Sequence, residues 1–165
     1  MDIIMLIVIW VFVLGLCLFG VLCIKMVQEA NREREAEAYK AWELKMHRIV
    51  EGSESLSPEQ FLEIRNSYKG HLQDFDFMGC YVIYNKTKKL YYVGQAKHVP
   101  NRVNAHFTGK GNGDVYADYK YGDEFEIHLI DVMTTEYRRL DDLERDLIKA
   151  YGAYESGYNK THGNR

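Results

Sequence analysis

Residues 79–84 read Gly-Cys-Tyr-Val-Ile-Tyr, and residues 90–94 read Leu-Tyr-Tyr-Val-Gly. Both runs are rich in branched and aromatic residues, and the five residues between them, Asn-Lys-Thr-Lys-Lys, are polar. Such a pattern is typical of two antiparallel strands joined by a short turn. It predicts a β-hairpin, and the segments on either side of it add the remaining elements.

A short helix is predicted directly after the hairpin, over residues 97–107. Three of its apolar residues recur at the i, i+4, i+8 spacing of one helix face: Val99, Val103 and Phe107. Arg102 and His106, which are also four residues apart, form a polar stripe beside that face. A guanidinium and an imidazole are therefore expected side by side at the edge of the core.

Glu144 lies on a later predicted helix, over residues 136–151. That helix has an apolar stripe made of Leu140, Leu143, Leu147 and Tyr151. At about 100° per residue, Glu144 falls inside this stripe. Burying an unpaired carboxylate is costly, so a partner is expected: a metal ion, a hydrogen-bond donor or a cation such as Arg102. The other acids are predicted to lie on the solvated side of the helix: Asp141, Asp142 and Asp146.

Positive charge is concentrated around the predicted hairpin and the helix that follows it. Residues 77–113 carry six Lys or Arg and no Asp or Glu, whereas residues 114–165 carry seven basic and twelve acidic residues. Basic side chains clustered among Tyr and Asn favour binding to a phosphate backbone. Charge alone is equally compatible with a solvated hairpin whose lysines keep it soluble.

The amino-terminal segment differs in composition from the rest. Residues 3–24 contain no charge, and as a helix they would extend about 33 Å, against a bilayer hydrocarbon core of about 30 Å. This excludes a water-soluble single domain and predicts a transmembrane anchor over residues 1–25. A cleaved signal peptide is the alternative, but it lacks a basic start and a small-residue cleavage site. The basic residues Lys25, Arg32 and Arg34 predict an amino terminus outside and a cytoplasmic carboxy-terminal domain in the cell membrane.

A helical stalk and linker are predicted over residues 26–56, followed by a connecting helix over residues 57–76. An apolar stripe runs along the stalk at helical spacing: Tyr39, Trp42, Met46 and Ile49. It is expected to pack either on the following domain or on a second copy of the chain, as a homodimer. The helix in this connecting segment has a clear start, with Ser57 as N-cap and Pro58 at its first position, and it is expected to run to about Lys69, with Gly70 ending it.

Cysteine, histidine and glycine patterns exclude several other classes of protein. Cys17 and Cys23 lie in the apolar segment and Cys80 has no partner outside it, so the chain is not a disulfide scaffold. No set of Cys and His residues has the spacing of a zinc site. The glycine-rich segment 109–113 lacks the Gly-Lys-Ser/Thr ending of a P-loop.

The order of these motifs resembles the GIY-YIG nuclease family. Gly79-Cys80-Tyr81 stands where the family has Gly-Ile-Tyr, and Tyr92-Val93-Gly94 stands where it has Tyr-Ile-Gly. Four further residues occur in the family's order: Arg102, His106, Glu144 and Asn159. The resemblance covers about half of the chain and implies a nuclease domain over residues 77–165.

That resemblance implies a small α+β domain with a central three-stranded antiparallel sheet flanked by helices. The strands are expected near residues 79–84, 90–95 and 124–132. The implied enzyme is a divalent-metal-dependent endonuclease that hydrolyses phosphodiester bonds, with double-stranded DNA as its substrate.

The resemblance also implies catalytic roles. Glu144 would hold Mg²⁺ or Mn²⁺, and Arg102 would bind the scissile phosphate. Tyr81 would be the general base, with His106 close enough to take up its proton. Tyr92 would orient the water or the phosphate.

Further contacts are expected around these residues. Asn159 would fix neighbouring polar groups, and Lys110 is a candidate for an additional basic residue that some members of the family have. Substrate binding is expected from Gly94, Lys97, Lys110, Lys88 and Lys89.

A membrane-tethered nuclease would meet DNA as it enters the cell, so restriction of phage or other foreign DNA is the expected role. The alternative is a catalytically inactive, membrane-tethered module that binds nucleic acid or another partner. Metal-dependent cleavage would distinguish the enzyme from that module.

Overall fold

The computed structural model describes residues 2–71 and 74–163. Its helices are α1 (Ile3–Glu51), α2 (Pro58–Ser67), α3 (Val99–Phe107), α4 (Gly113–Lys120) and α5 (Leu140–Ala150). Its strands are β1 (Ser55–Leu56), β2 (Gly79–Asn85), β3 (Leu90–Ala96) and β4 (Phe125–Asp131), and a 3₁₀ turn covers Val132–Thr134. Positions 1, 72, 73, 164 and 165, which the predicted segments include, lie outside the described residues. The chain divides into two compact units, Met1–Glu43 and Leu44–Arg165.

The first unit contains the part of α1 that precedes Leu44. Within the described residues, α1 is the helix that is long and apolar enough to cross a membrane, with a mean hydropathy of 3.0 in its apolar part. None of that part is buried, and Trp10, for example, is 69% exposed. Such a helix could span a bilayer. Its length and composition are the support for this, and signal sequences share both features.

The second unit is an α+β domain built on an antiparallel sheet with the strand order β1-β4-β2-β3. The three predicted strands are confirmed as β2, β3 and β4, and β2 pairs with both of the others. The sequence does not predict the fourth strand, β1, whose two residues pair with Ile127 and His128 of β4. A two-residue strand has no periodicity to detect, and Ser55 lies in a segment with the composition of a linker.

Helix α2 begins where the sequence predicts. The Ser57 side chain accepts a hydrogen bond from the backbone N–H of Gln60, and the Gln60 side chain accepts one from the backbone N–H of Ser57. This capping box, with Pro58 at the first turn, satisfies donors that would otherwise lack partners. The helix ends at Ser67, two residues before the expected end at Lys69, and Gly70, the predicted stop, follows with a φ of 101°.

Helices cover both faces of the sheet. Tyr81 and Ile83 of β2 point into the main core, to which α2, α3 and α4 contribute. Because successive residues of a strand point to opposite faces, Cys80 and Val82 lie on the other side, where α5 packs. The buried residues of α5 are Leu143, Glu144, Leu147 and Ile148.

Residues well before position 77 belong to the same compact unit as the sheet. Met46 near the end of α1 and Phe61 of α2 are completely buried, and Leu56 of β1 is nearly so. From the sequence, the stalk stripe is expected to pack either on the following domain or on a second copy of the chain. For Met46, which is buried within this unit, packing on the domain is therefore the alternative that holds. The division of the chain at residues 25, 56 and 76 stays a prediction.

Replacing Phe61 with alanine is expected to destabilise the second unit by about 3–5 kcal/mol, because it removes a fully buried aromatic side chain from the main core. Tyr121→Ala is the control, since Tyr121 is 89% exposed, and its effect should stay within about 0.5 kcal/mol. Denaturant unfolding of the full chain in detergent measures both. Equal stability of the two variants would show that α2 does not belong to this core.

Candidate active site

The candidate site lies along β3, at the edge of the sheet. β3 pairs with β2 on one side only, so side chains from both faces of the sheet can meet around its other side. Gly94 of β3 lies opposite Tyr81 of β2. A Cβ atom at position 94 would overlap the Tyr81 hydroxyl group, so the close approach of this tyrosine requires a glycine there.

Asn159 fastens the carboxy-terminal segment to this edge. Its side-chain amide accepts a hydrogen bond from the backbone N–H of Val93 and donates one to the carbonyl of the same residue, both at 2.8 Å. Next to it, the backbone N–H of Tyr158 donates to the carbonyl of Tyr91 at 2.9 Å. These bonds satisfy backbone groups that an edge strand would otherwise leave without a protein partner.

Tyr81 and His106 form a buried pair. The Tyr81 hydroxyl and His106 Nε2 are 2.9 Å apart, and neither side chain is exposed. On the other side of the imidazole, the backbone N–H of Asn112 donates to Nδ1 at 2.9 Å. Because Nδ1 is an acceptor, the neutral ring carries its proton on Nε2, and this N–H donates a hydrogen bond to the Tyr81 hydroxyl oxygen. In this arrangement His106 cannot take up the proton of Tyr81, which corrects the role expected from the sequence.

The protonation states of this pair follow from burial. Desolvation, with a smaller contribution from the nearby Arg102 guanidinium, lowers the pKa of His106 to about 4. Desolvation also raises the pKa of Tyr81 well above its ordinary value, and Tyr92 adds to this, while Arg102 opposes it. Both side chains are therefore neutral in the free protein at physiological pH.

A cleft of about 270 Å³ lies beside this pair. Tyr92, Arg102, Glu144 and Asn159 line it. The rings of Tyr92 and His106 are 4.6 Å apart between centroids, so the buried pair lies directly behind one wall of the cleft. Four of the six predicted catalytic residues thus line the cleft, and the other two lie behind it.

Glu144 enters the cleft from the buried face of α5, and it is 8% exposed. Its Oε2 accepts a hydrogen bond from Nε2 of Gln95, on β3, at 3.0 Å. The same nitrogen donates to Oδ1 of Asp141 at 2.7 Å. The prediction that Asp141 lies on the solvated side holds only in part, because its side chain is 32% exposed but also contacts β3 through Gln95. Residues three apart on a helix share a face, and α5 turns this face toward β3.

The predicted substrate-binding lysines of the hairpin turn lie away from the cleft. The turn begins beyond Asn85, four residues and roughly 13 Å along β2 from Tyr81. Lys88 pairs there with Asp118 at 2.6 Å, and Lys89 occupies the same turn. The structure therefore does not bring these two lysines together with Glu144 and its neighbours.

The other predicted lysines, Lys97 and Lys110, are exposed in the segments that follow β3 and α3.

The sequence did not single out three residues of the site: Gln95, Asn112 and Lys160. Lys160 lines the cleft. Gln95 was detectable, because it lies opposite Cys80 in the hairpin and alternation directs it toward α5. The contact of Asn112 with His106 uses its backbone N–H, which no residue type reveals.

The donor set of the cleft fits a largely hydrated divalent ion. Among residues 2–71 and 74–163, no group of three or more His, Cys, Asp and Glu side chains could hold a metal ion. With Glu144 as the carboxylate ligand, most coordination positions would be left to water, and Mg²⁺ commonly keeps several of its waters in proteins.

A family model described as the GIY-YIG catalytic domain matches residues 77–159, about half of the chain. The chain belongs to the GIY-YIG family. Comparison with curated proteins and with solved structures gave no match. GIY-YIG proteins are nucleases, that is, phosphodiester hydrolases, which act on DNA and generally depend on a divalent metal ion. Matched residues include both triplets, the Arg102/His106 helix and Glu144, up to Asn159.

The buried neutral imidazole of His106 has a measurable effect on stability. Its pKa is about 4 in the folded chain and about 6.5 when unfolded, so the unfolded state binds more protons between these values. The associated stability is present above pH 6.5 and is lost as the pH falls toward 4. Between pH 7 and pH 4.5 the wild-type chain is expected to lose about 2 kcal/mol more than His106→Gln, whose side chain does not titrate. Denaturant unfolding at the two pH values measures this, and equal losses would contradict a buried neutral histidine.

Proposed function

We propose that this GIY-YIG protein is a membrane-anchored endonuclease that uses a divalent metal ion to hydrolyse double-stranded DNA. One observation carries the proposal: Tyr92, Arg102 and Glu144, from three different elements, line one cleft. Phosphodiester hydrolysis needs an activated water and stabilisation of charge on the phosphoryl oxygens. A phenol, a guanidinium and a carboxylate that can hold a metal ion meet these needs.

In the proposed mechanism, Glu144 holds Mg²⁺ or Mn²⁺. The ion, when bound, stabilises charge on the phosphate and lowers the pKa of a water molecule. Arg102 is exposed at the cleft, and its planar fork of donors binds the scissile phosphate. Asn159 keeps β3 in place beneath both groups. Gly94, which has no side chain, is also proposed to let the DNA backbone approach closely; in the free protein the Tyr81 hydroxyl group lies against it.

Tyr81 is the proposed general base. Its ionised form would accept the hydrogen bond of His106 Nε2–H, and Arg102 favours the same form by lowering the pKa of Tyr81. Because Tyr81 is buried and Tyr92 lines the cleft, we propose that the proton of the attacking water reaches Tyr81 by way of the Tyr92 hydroxyl. Contacts with the flanking DNA backbone are proposed for Lys97 and Lys110.

If Tyr81 is the base, cleavage should accelerate with pH. Burial raises the pKa of Tyr81, so below that pKa the ionised fraction rises about tenfold per pH unit. The rate at saturating metal is expected to climb steadily from pH 6.5 to 9. Tyr81→Phe should lower the rate and remove most of the slope. The same slope in the wild type and in Tyr81→Phe would exclude this tyrosine as the base.

Cleavage itself tests the proposed activity. The full chain in detergent is expected to nick supercoiled plasmid with Mg²⁺ and not with a chelator. Glu144→Ala and Arg102→Ala should each lower the rate by about 100-fold or more, because they remove charge stabilisation. Glu63→Ala, an exposed glutamate of α2, is the matched control and should cut normally. Salt-sensitive DNA binding without cleavage by the wild type would support the inactive binding module instead.

We also propose that α1 is retained as an anchor through residues 3–24, with the nuclease domain in the cytoplasm. Three basic residues follow the apolar segment: Lys25, Arg32 and Arg34. In this position the enzyme would meet DNA entering the cell, which makes restriction of phage or foreign DNA its proposed role. A homodimer formed through Tyr39 and Trp42 of the stalk would place two active sites for cutting both strands.

The proposed orientation predicts the behaviour of reporters fused after Arg165. Green fluorescent protein is expected to fluoresce at this position, and alkaline phosphatase is expected to be inactive, because each folds on one side of the membrane only. Active phosphatase without fluorescence would place the nuclease domain outside the cell.

A further inference from the structure

We infer that Gln95 is a positioning residue for Glu144: its side-chain amide fixes the carboxylate in the orientation that holds the divalent ion. This inference rests on the proposed function and assigns a role to a residue outside the two family triplets. Gln95 follows Gly94 directly and lies on the last part of β3.

The geometry of the amide is specific. Nε2 of Gln95 carries two hydrogens, and it has two carboxylate acceptors, Glu144 Oε2 at 3.0 Å and Asp141 Oδ1 at 2.7 Å. Both acceptors belong to α5, three residues apart, whereas the donor belongs to β3. The amide therefore ties the ligand-bearing face of the helix to the edge strand that forms the cleft.

This arrangement restricts a side chain that would otherwise adopt several rotamers. A glutamate has three side-chain torsions, and ordering it costs conformational entropy each time it engages a ligand. With one carboxylate oxygen held from β3, part of that cost is met on folding. Hydrogen bonds to a ligating carboxylate typically affect metal affinity by about 10-fold to 100-fold.

The neutrality of the donor is equally important. A lysine or arginine at position 95 could also hydrogen-bond both carboxylates, but its positive charge would repel a metal ion from Glu144. An amide orients the two carboxylates and leaves their negative charge in place for the cation. Asp141 then serves as the second anchor of the amide, and it also lies 3.5 Å from Arg139.

The test is a titration of the full chain in detergent with Mn²⁺, in which electron paramagnetic resonance measures the concentration of the free ion. Gln95→Met preserves the shape of the side chain and removes both donors, and it is expected to bind Mn²⁺ at least about 10-fold more weakly. The Mn²⁺ concentration for half-maximal plasmid nicking should rise by the same factor, while the rate at saturating Mn²⁺ falls less. Asp142→Asn is the control, because Asp142 neighbours Asp141 but pairs with Arg145, and its affinity should stay within about twofold.

A second variant separates the neutrality of the donor from simple structural support. Gln95→Lys keeps a donor between the two carboxylates, so the chain should unfold at about the wild-type temperature and still bind Mn²⁺ at least about 10-fold more weakly. Wild-type Mn²⁺ affinity in Gln95→Met overturns the inference. If Gln95→Met does not fold, wild-type affinity in Gln95→Lys overturns it.

These outcomes differ from a failure of the proposed function. If the wild type binds no Mn²⁺, or if Glu144→Ala binds it as tightly as the wild type, the metal site at Glu144 is itself refuted. If Glu144→Ala loses binding and Gln95→Met does not, the site stands and only the role of Gln95 is lost.

Discussion

The whole site depends on β3, an edge strand whose outer backbone groups are hydrogen-bonded by Asn159 and which has a glycine where Tyr81 approaches it. Asn159 makes two hydrogen bonds to the backbone of Val93, so the edge is occupied without a further strand that would bury it. One residue on, Gly94 has no side chain, and the Tyr81 hydroxyl uses the space. Groups from both faces of the sheet, Glu144 on one side and Tyr92 on the other, can therefore line one cleft around this edge.

Hydrogen-bond direction then determines what the buried groups can do. A backbone N–H can only donate, so the bond from Asn112 fixes the tautomer of His106, and the histidine in turn donates to Tyr81. The result is a neutral imidazole that favours a phenolate without accepting its proton. Desolvation works in the opposite direction by raising the pKa of Tyr81, so the ionised tyrosine is expected at the alkaline end of the pH range.

Much of this could be predicted from the sequence, because it depends on local periodicity and on motif order. The apolar stripe of α3 and the burial of Glu144 follow from patterns within a single helix, and the hairpin follows from two strand patterns that adjoin in the sequence. What could not be predicted depends on contacts between elements. Strand β1 is too short to have a period and is defined by its pairing with β4, and the Asp141 carboxylate accepts a hydrogen bond from a glutamine of β3. The turn lysine Lys88 shows the same limit, since its partner Asp118 lies 30 residues away.

The central claim is that Glu144 holds a divalent ion beside a phosphate bound by Arg102. The most direct measurement is anomalous diffraction at the manganese edge from crystals of the chain with Mn²⁺ and a non-cleavable phosphorothioate duplex. One anomalous peak is expected in direct contact with a Glu144 carboxylate oxygen, with the DNA phosphate between that peak and the Arg102 guanidinium. A peak at another carboxylate, with Glu144 remote from both the metal and the phosphate, would contradict it.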